Sequence, residues 1–242
     1  MITRLSFYTF LMLLVPIGAW LVGWQWTGDE NIIVPSVDYP LYFLTETGSV
    51  PYALITCVLL MLWLMWLARK RYSWLLVGAI CAGSVLGTQV IKQVAKTGFA
   101  EPRPFVTQMM GEQSEQFYEL PRSERAVLVK EYYKDSPYPL FAQHRADQTG
   151  YSFPSGHAMF SVSWLLVFGG LLLGLRGQAV VFAQIFVVIW SALMMISRLR
   201  LGMHYPVDLF TSTLITLVFH IVLFVWIVPY LETWKFFQKR GN

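Results

Sequence analysis

The sequence predicts an all-α polytopic membrane protein: one membrane-embedded domain over residues 1–242, with six transmembrane helices and a helical extracytoplasmic insert, residues 97–153, between spans three and four. Three observations predict this. Of 242 residues, 56% are hydrophobic and only 13% charged, whereas soluble domains carry about 25% charged residues. The apolar residues fall in runs of about 20, the length that crosses a bilayer. The charges between those runs sort by sign from one loop to the next.

The spans are expected at about 5–24, 51–68, 74–95, 157–175, 179–197 and 209–230. The first follows Arg4 and invites comparison with a signal h-region, but such regions run about 7–15 residues. Its length, and the lack of a small-residue cleavage motif in the following G-W-Q-W-T-G-D-E, favour a retained span. Arg4, the Arg69–Lys70–Arg71 run, Arg176, and Lys235, Lys239 and Arg240 mark four faces as cytoplasmic, both termini among them. The first loop holds Asp29, Glu30, Asp38 and Glu46 with no lysine or arginine, so it is expected outside. The insert and the turn 197–208 then share that outer face.

Within the insert, Ser123 is expected to cap a short helix whose Val127 and Tyr132 can lie on the bilayer surface. A solvated helical insert and a substrate-gating lid fit that pattern equally. The basic residues form no stripe able to track a nucleic-acid backbone, so nucleic acid is not an expected partner. Cys57 and Cys81 lie inside apolar runs and are expected as free thiols.

Three motifs stand at the outer ends of spans. Lys96–Pro104 reads K-T-G-F-A-E-P-R-P, Pro154–His157 reads P-S-G-H, and Ser197–Asp208 reads S-R-L-R-L-G-M-H-Y-P-V-D. Singly, each has an ordinary explanation. Lys96 and Arg103 can be interface anchors, Ser155 a helix N-cap, and Asp208 a first-turn acid behind Pro206. Together they bring two histidines, one carboxylate and three cations to one membrane face, where charge is expensive and marks function.

The combination K-x6-R-P, P-S-G-H and S-R-x5-H-x3-D resembles the three-part signature of the type 2 phosphatidic acid phosphatase superfamily, with every fixed position present. The resemblance covers nearly the whole chain, and the superfamily's membrane members have six spans. The stretch E-Q-F-Y-E-L-P-R-S-E-R-A-V-L-V-K-E further looks like the soluble insert of its bacterial phosphatidylglycerophosphate phosphatase B group. Ala158 departs from the hydroxyl residue expected after the P-S-G-H histidine, which alters hydrogen bonding beside that histidine and removes no catalytic group.

A phosphate monoester is a dianion, and its displacement needs cations around the phosphoryl oxygens, an in-line nucleophile and an acid for the leaving oxygen. Arg103 and Arg198 offer planar forks, Lys96 a point charge, Ser155 a hydroxyl, and the N–H groups around Gly156 a helix start; with Ser197 these form the expected phosphate cradle. His204 lies four residues before Asp208, so the carboxylate can orient one ring nitrogen and leave the other free as nucleophile. His157 is expected to protonate the leaving alkoxide and then activate water against a phosphohistidine. The resemblance implies the same roles. No metal and no cofactor is implied, because metal-dependent phosphatases gather several carboxylates and Asp208 and Glu101 are the only acids in the motifs.

Outside the motifs, His220 is expected as a neutral interior residue, His144 as an exposed residue of the insert, Lys92 as a snorkelling lysine and Arg200 as a headgroup contact or anchor. The expected function is a lipid phosphatase at the periplasmic face of the bacterial cytoplasmic membrane, acting on phosphatidylglycerol phosphate, undecaprenyl diphosphate or related lipids. A lipid-linked phosphoryl-group transferase is the alternative enzyme. A phosphate-binding protein or transporter is disfavoured, because binding alone needs no His–Asp pair and no broken spans are visible.

Overall fold

The computed structural model describes residues 1–28 and 33–239; Asp29, Glu30 and Arg240, which entered the charge reading, lie outside the described residues. Among the described residues every regular element is helical. In order they are α1 (Ile2–Leu21), α2 (Pro35–Glu46), α3 (Tyr52–Ala68), α4 (Trp74–Gly98), α5 (Pro104–Met110), α6 (Ser114–Glu119), α7 (Arg122–Tyr132), α8 (Pro139–Asp147), α9 (Gly156–Leu171), α10 (Gln178–Arg200), α11 (Pro206–Val222) and α12 (Val228–Glu232). A 3₁₀ turn at Gly111–Gln113 joins α5 to α6, and a π-helical turn at Leu223–Ile227 joins α11 to α12.

Among the described residues four segments are long and apolar enough to cross a membrane: Ile2–Leu21, Trp74–Lys96, Gln178–Arg200 and Pro206–Glu232. Tyr52–Ala68 and Gly156–Leu171 are equally apolar in character but shorter. The outward surfaces of the bundle are apolar, with Phe7, Phe10, Leu54, Leu59, Phe182, Ile189 and Val218 all exposed. Lipid is the solvent that suits such a surface.

α9 is the axis of the bundle. Every residue from Ala158 to Leu171 is buried, and α1, α3, α4, α10 and α11 pack around it. An all-apolar helix can equally face lipid, so it is this ring of five neighbours that places α9 in the core. α4 faces it with a stripe at four-residue spacing, Leu76, Ile80, Ser84 and Thr88, all buried. The same spacing continues into Lys92 and Lys96, so one helical face runs from apolar through hydroxyl side chains to cationic at its end. Ser73 caps the start of α4 by accepting from the Leu76 N–H at 3.2 Å, and Pro206 occupies the first turn of α11.

The short helices α5–α8, between α4 and α9, have a core of their own, Phe105, Val106, Phe117, Val129, Tyr133, Phe141, Ala142 and Ala146, which packs on Leu201 and Met203. Taking a Phe side chain out of water into such a core contributes about 1.5–3 kcal/mol. Ser123 does not cap α7: that helix starts at Arg122 behind Pro121 with no side-chain cap, and proline's fixed φ takes over the entry. Val127 and Tyr132 are exposed on it. α2 was not foreseen; the acidic first loop contains a helix whose Asp38, Leu41 and Thr45 face inward at i, i+3, i+7.

Candidate active site

The third motif is built by a helix end. α10 stops at Leu201, and Gly202 turns the chain with φ of 70°, a left-handed conformation at helix C-termini that glycine adopts without steric cost. The N–H groups of Met203 and His204 then donate back to the Arg198 carbonyl at 3.0 and 3.2 Å. This fastens His204 to the helix that carries Arg198. Asp208, in the first turn of α11, places Oδ2 3.2 Å from His204 Nδ1 and accepts the Tyr205 N–H at 2.9 Å. One carboxylate oxygen thus closes a capping box and orients an imidazole.

Ser152 joins this pair from the segment before α9. Its hydroxyl donates to Asp208 Oδ2 and lies 3.3 Å from His204 Nδ1. On the other side, Arg103 Nη1 stands 3.4 Å from His204 Nε2 while donating to the Met203 carbonyl at 2.9 Å. Arg103 Nε donates to the Gly150 carbonyl at 2.7 Å, and its backbone N–H donates to the Tyr118 hydroxyl at 3.1 Å. Burial holds that phenol protonated, pushed up to about 12. For His204, burial first, then the cations of Arg103, Arg198 and Lys96 and the ring of His157, keep the imidazole well below its ordinary value. A neutral ring with its proton on Nδ1 toward Asp208 carries its lone pair on Nε2, where the Arg103 guanidinium faces it.

The other residues expected to hold phosphate are distributed as follows. Lys96 donates to the Tyr151 carbonyl. Arg198 is fully buried. Ser155 caps α9, accepting the Ala158 N–H at 3.3 Å, and its own N–H donates to Ser212 Oγ at 2.8 Å. The Ser197 hydroxyl donates to the Met194 carbonyl of its own helix at 2.6 Å, so Ser197 reaches the site only through the backbone that carries Arg198. His157 Nε2 lies 3.0 Å from Ser49 Oγ, and Gly48 sits against the His157 ring, where a Cβ would come within 2.9 Å of Cδ2.

Three expectations are corrected. His144 is not exposed: it is 3% accessible, with Nδ1 2.8 Å from Glu46 Oε1 and Nε2 3.0 Å from Arg198 Nη1. Arg200 is not a headgroup anchor, because Asp38 takes its Nε and Nη2 at 2.9 and 2.6 Å in a fork–carboxylate pair. Lys92 does not snorkel outward; it donates to Gln89 Oε1 at 2.5 Å with its methylenes against Gly156. His220 is interior as expected, held between Ser84 Oγ and the Thr216 carbonyl, each at 2.7 Å.

Sequence reasoning missed Ser152 and the segment Thr45–Ser49. The signal for the latter was a run of polar residues, T-E-T-G-S, just ahead of an apolar span. A cavity of about 540 Å³ opens beside His204 and Tyr205, walled by Trp20, Trp24 and Trp26. A second, of about 550 Å³, contains none of the motif residues and is lined by Arg69, Ser73, Lys235 and Lys239.

The buried His204–Asp208 pair thus lies within electrostatic reach of Arg103, Arg198 and Lys96. Among known proteins, the PAP2 superfamily profile matches residues 73–231, which contain all three motifs. The chain belongs to the PAP2 superfamily. It is 44% identical over 236 residues to phosphatidylglycerophosphatase B of Haemophilus influenzae, covering 94% of this chain and 96% of that one. To phosphatidylglycerophosphatase B of Escherichia coli K12 it is 36% identical over 213 residues, 85% of this chain and 81% of that one. As a PAP2 member it is a phosphatase, and its apolar helices suit an integral membrane protein.

Proposed function

We propose that this protein is an integral membrane lipid phosphatase that releases phosphate from phosphatidylglycerol phosphate, and from undecaprenyl diphosphate and related lipids, through a phosphohistidine. The observation that carries the proposal is the His204–Asp208 pair at 3.2 Å with Arg103 on the opposite ring nitrogen. Asp208 holds the proton on Nδ1, so Nε2 presents its lone pair to phosphorus. The Nε2–P bond forms as the bond from phosphorus to the lipid oxygen breaks, and His157 gives that oxygen a proton. Water then attacks the phosphohistidine, His157 takes its proton, and inorganic phosphate leaves. Lys96, Arg103, Arg198 and the Ser155–Gly156 helix start hold the equatorial oxygens, so the chain supplies the positive charge without a metal.

A lipid substrate is supported by the two relatives' names and by the tryptophan-walled cavity at His204. Acyl chains can stay in the bilayer while the headgroup enters it. In this proposal the six apolar helices α1, α3, α4, α9, α10 and α11 all span the bacterial cytoplasmic membrane, with both termini cytoplasmic. Residues 97–153 then form the periplasmic insert of a single domain, and the site faces the periplasm. Charges of the loops within the described residues support this sidedness.

The test is rapid quenching during turnover of phosphate-labelled phosphatidylglycerol phosphate and undecaprenyl diphosphate, in EDTA. Label should appear on the protein in an acid-labile, base-stable form, and His204→Ala should abolish both label and phosphate release. Label on Ser155, normal turnover by His204→Ala, or full loss of activity in EDTA with recovery on adding a divalent ion would refute the mechanism.

A further inference from the structure

Two carboxylate–imidazole pairs lie among the described residues, and one of them belongs to the chemistry just described. In the first, Asp208 faces His204 Nδ1 and Arg103 faces Nε2. In the second, Glu46 of α2 faces His144 Nδ1 at 2.8 Å, and Arg198 of α10 donates to His144 Nε2 at 3.0 Å. Arginine is an obligate donor, so Nε2 must accept and the ring proton sits on Nδ1, where Glu46 takes it.

Arg198 is held by more than this ring. Nη1 also donates to Thr45 Oγ1 at 2.9 Å, and Nη2 donates to Gln148 Oε1 at 2.7 Å. The Gln148 amide in turn lies 3.3 Å from His144 Nε2. Three contacts from α2 and the end of the insert therefore occupy three of the five N–H groups of a fully buried guanidinium. Its Nε is buried with no hydrogen-bond partner. A buried, unpartnered N–H on a cation is costly unless a ligand completes it. The contacts on Nη1 and Nη2 leave Nε and one Nη2 hydrogen, an edge whose geometry matches two phosphoryl oxygens.

We infer that His144 and Glu46 are positioning residues: the pair locks the Nη1 side of Arg198 so that its Nε side is presented to the phosphoryl group of the substrate. This rests on the lipid phosphatase proposal and adds to it a requirement that the insert be docked, because His144 and Gln148 reach the cradle from the insert while Glu46 and Thr45 reach it from α2. An imidazole suits the task better than a carboxylate. It fixes the guanidinium without cancelling the charge that the phosphate needs, and Glu46 sets its tautomer from one step further away.

The experiment uses the full-length protein in detergent micelles and measures kcat/KM for phosphatidylglycerol phosphate and the inhibition constant of vanadate. His144→Phe keeps the ring volume and removes the acceptor; His144→Gln restores an acceptor within reach of Arg198. His144→Phe should lower kcat/KM and weaken vanadate by about 10- to 100-fold, the cost of a misplaced catalytic group, and His144→Gln should recover to within about fivefold. In an Arg198→Lys background, where there is no fork to orient, the two His144 substitutions should differ by less than about threefold in vanadate affinity. If His144→Phe lowers only the unfolding temperature, if Gln is no better than Phe, or if the effect is unchanged without Arg198, the inference is wrong while the phosphatase proposal stands. An unmodified protein inert toward every lipid phosphate would remove that proposal and this inference together.

Discussion

The Ser152 hydroxyl lies 3.3 Å from Nδ1 of His204 and donates to the carboxylate that the same nitrogen faces. With the Tyr205 N–H, three donors therefore converge on Oδ2 of Asp208, and the hydroxyl helps to fix the carboxylate that fixes the ring. Removing it with Ser152→Ala leaves the carboxylate held by two donors and looser against the ring. Turnover should fall about 10- to 100-fold, as it does when groups that orient a catalytic residue are lost, with vanadate affinity changed much less because the cradle is intact. An unaltered kcat would show that Asp208 holds His204 unaided.

Arg200 and Asp38 make a separate prediction. Asp38 is 2% exposed, caps its own helix by accepting the Val34 N–H at 2.8 Å, and takes both Nε and Nη2 of Arg200. Asp38→Asn should lower unfolding free energy by about 3–5 kcal/mol by leaving a half-buried cation without its counter-charge. Thermal unfolding in detergent reads the loss directly. Activity should survive at low temperature, since Asp38 and Arg200 pair with each other and neither touches His204.

Gly202→Ala tests the turn that carries His204. The new methyl would have to adopt a positive φ and would also run into the Trp26 indole. A loss of stability of about 1–2 kcal/mol follows from the backbone alone, and activity should fall with it because Met203 and His204 hang from the same turn.

Sidedness is open to cysteine labelling. Ser123 is exposed on α7 and Gln178 is exposed at the start of α10. In spheroplasts, Ser123→Cys should react with a membrane-impermeant thiol reagent and Gln178→Cys should not. The reverse pattern would place the site in the cytoplasm and the substrate in the inner leaflet.

The acid limb of stability should report on His144. Burial, then Arg198 and Arg103, hold it down to about 4 against the attraction of Glu46, with His157 nearby and the Tyr42 ring edge-on at 5.5 Å. A histidine buried neutral binds its proton later than the unfolded chain does, so its contribution is intact above about pH 6.5 and is lost as pH falls toward 4. The loss attributable to His144 should reach about 3 kcal/mol. His144→Gln should flatten the wild-type curve in that window, leaving the part due to the other buried histidines.

Much of this was legible in the sequence, and what was not shares one cause. The helix positions followed from apolar run length, so α3, α4, α9 and α10 begin within one residue of expectation. The three motifs stood out because charge in an apolar background is rare. What stayed hidden were polar residues whose burial depends on distant partners. His144 read as exposed because its partners Glu46 and Arg198 are 98 and 54 residues away. Arg200 read as an anchor because Asp38 is 162 residues away. Ser152 lies only two residues before the P-S-G-H motif, yet nothing local marks it as the partner of Asp208.

The small core of the insert has a consequence for how the protein is made. Phe105, Phe117, Val129 and Phe141 close against Leu201 and Met203, and the Phe105 N–H donates to the Gly202 carbonyl at 3.1 Å. All but Leu201, Gly202 and Met203 of those residues leave the ribosome well before the last pair of bundle helices does. Until residues 201–203 arrive, the nascent helices α5–α8 keep an unfinished apolar surface, so the step that forms the turn at Gly202 is also the step that covers this segment against proteases and chaperones. A chain stalled after α9 would therefore be marked for removal by the same aromatic residues that, in the finished molecule, seat the turn carrying His204.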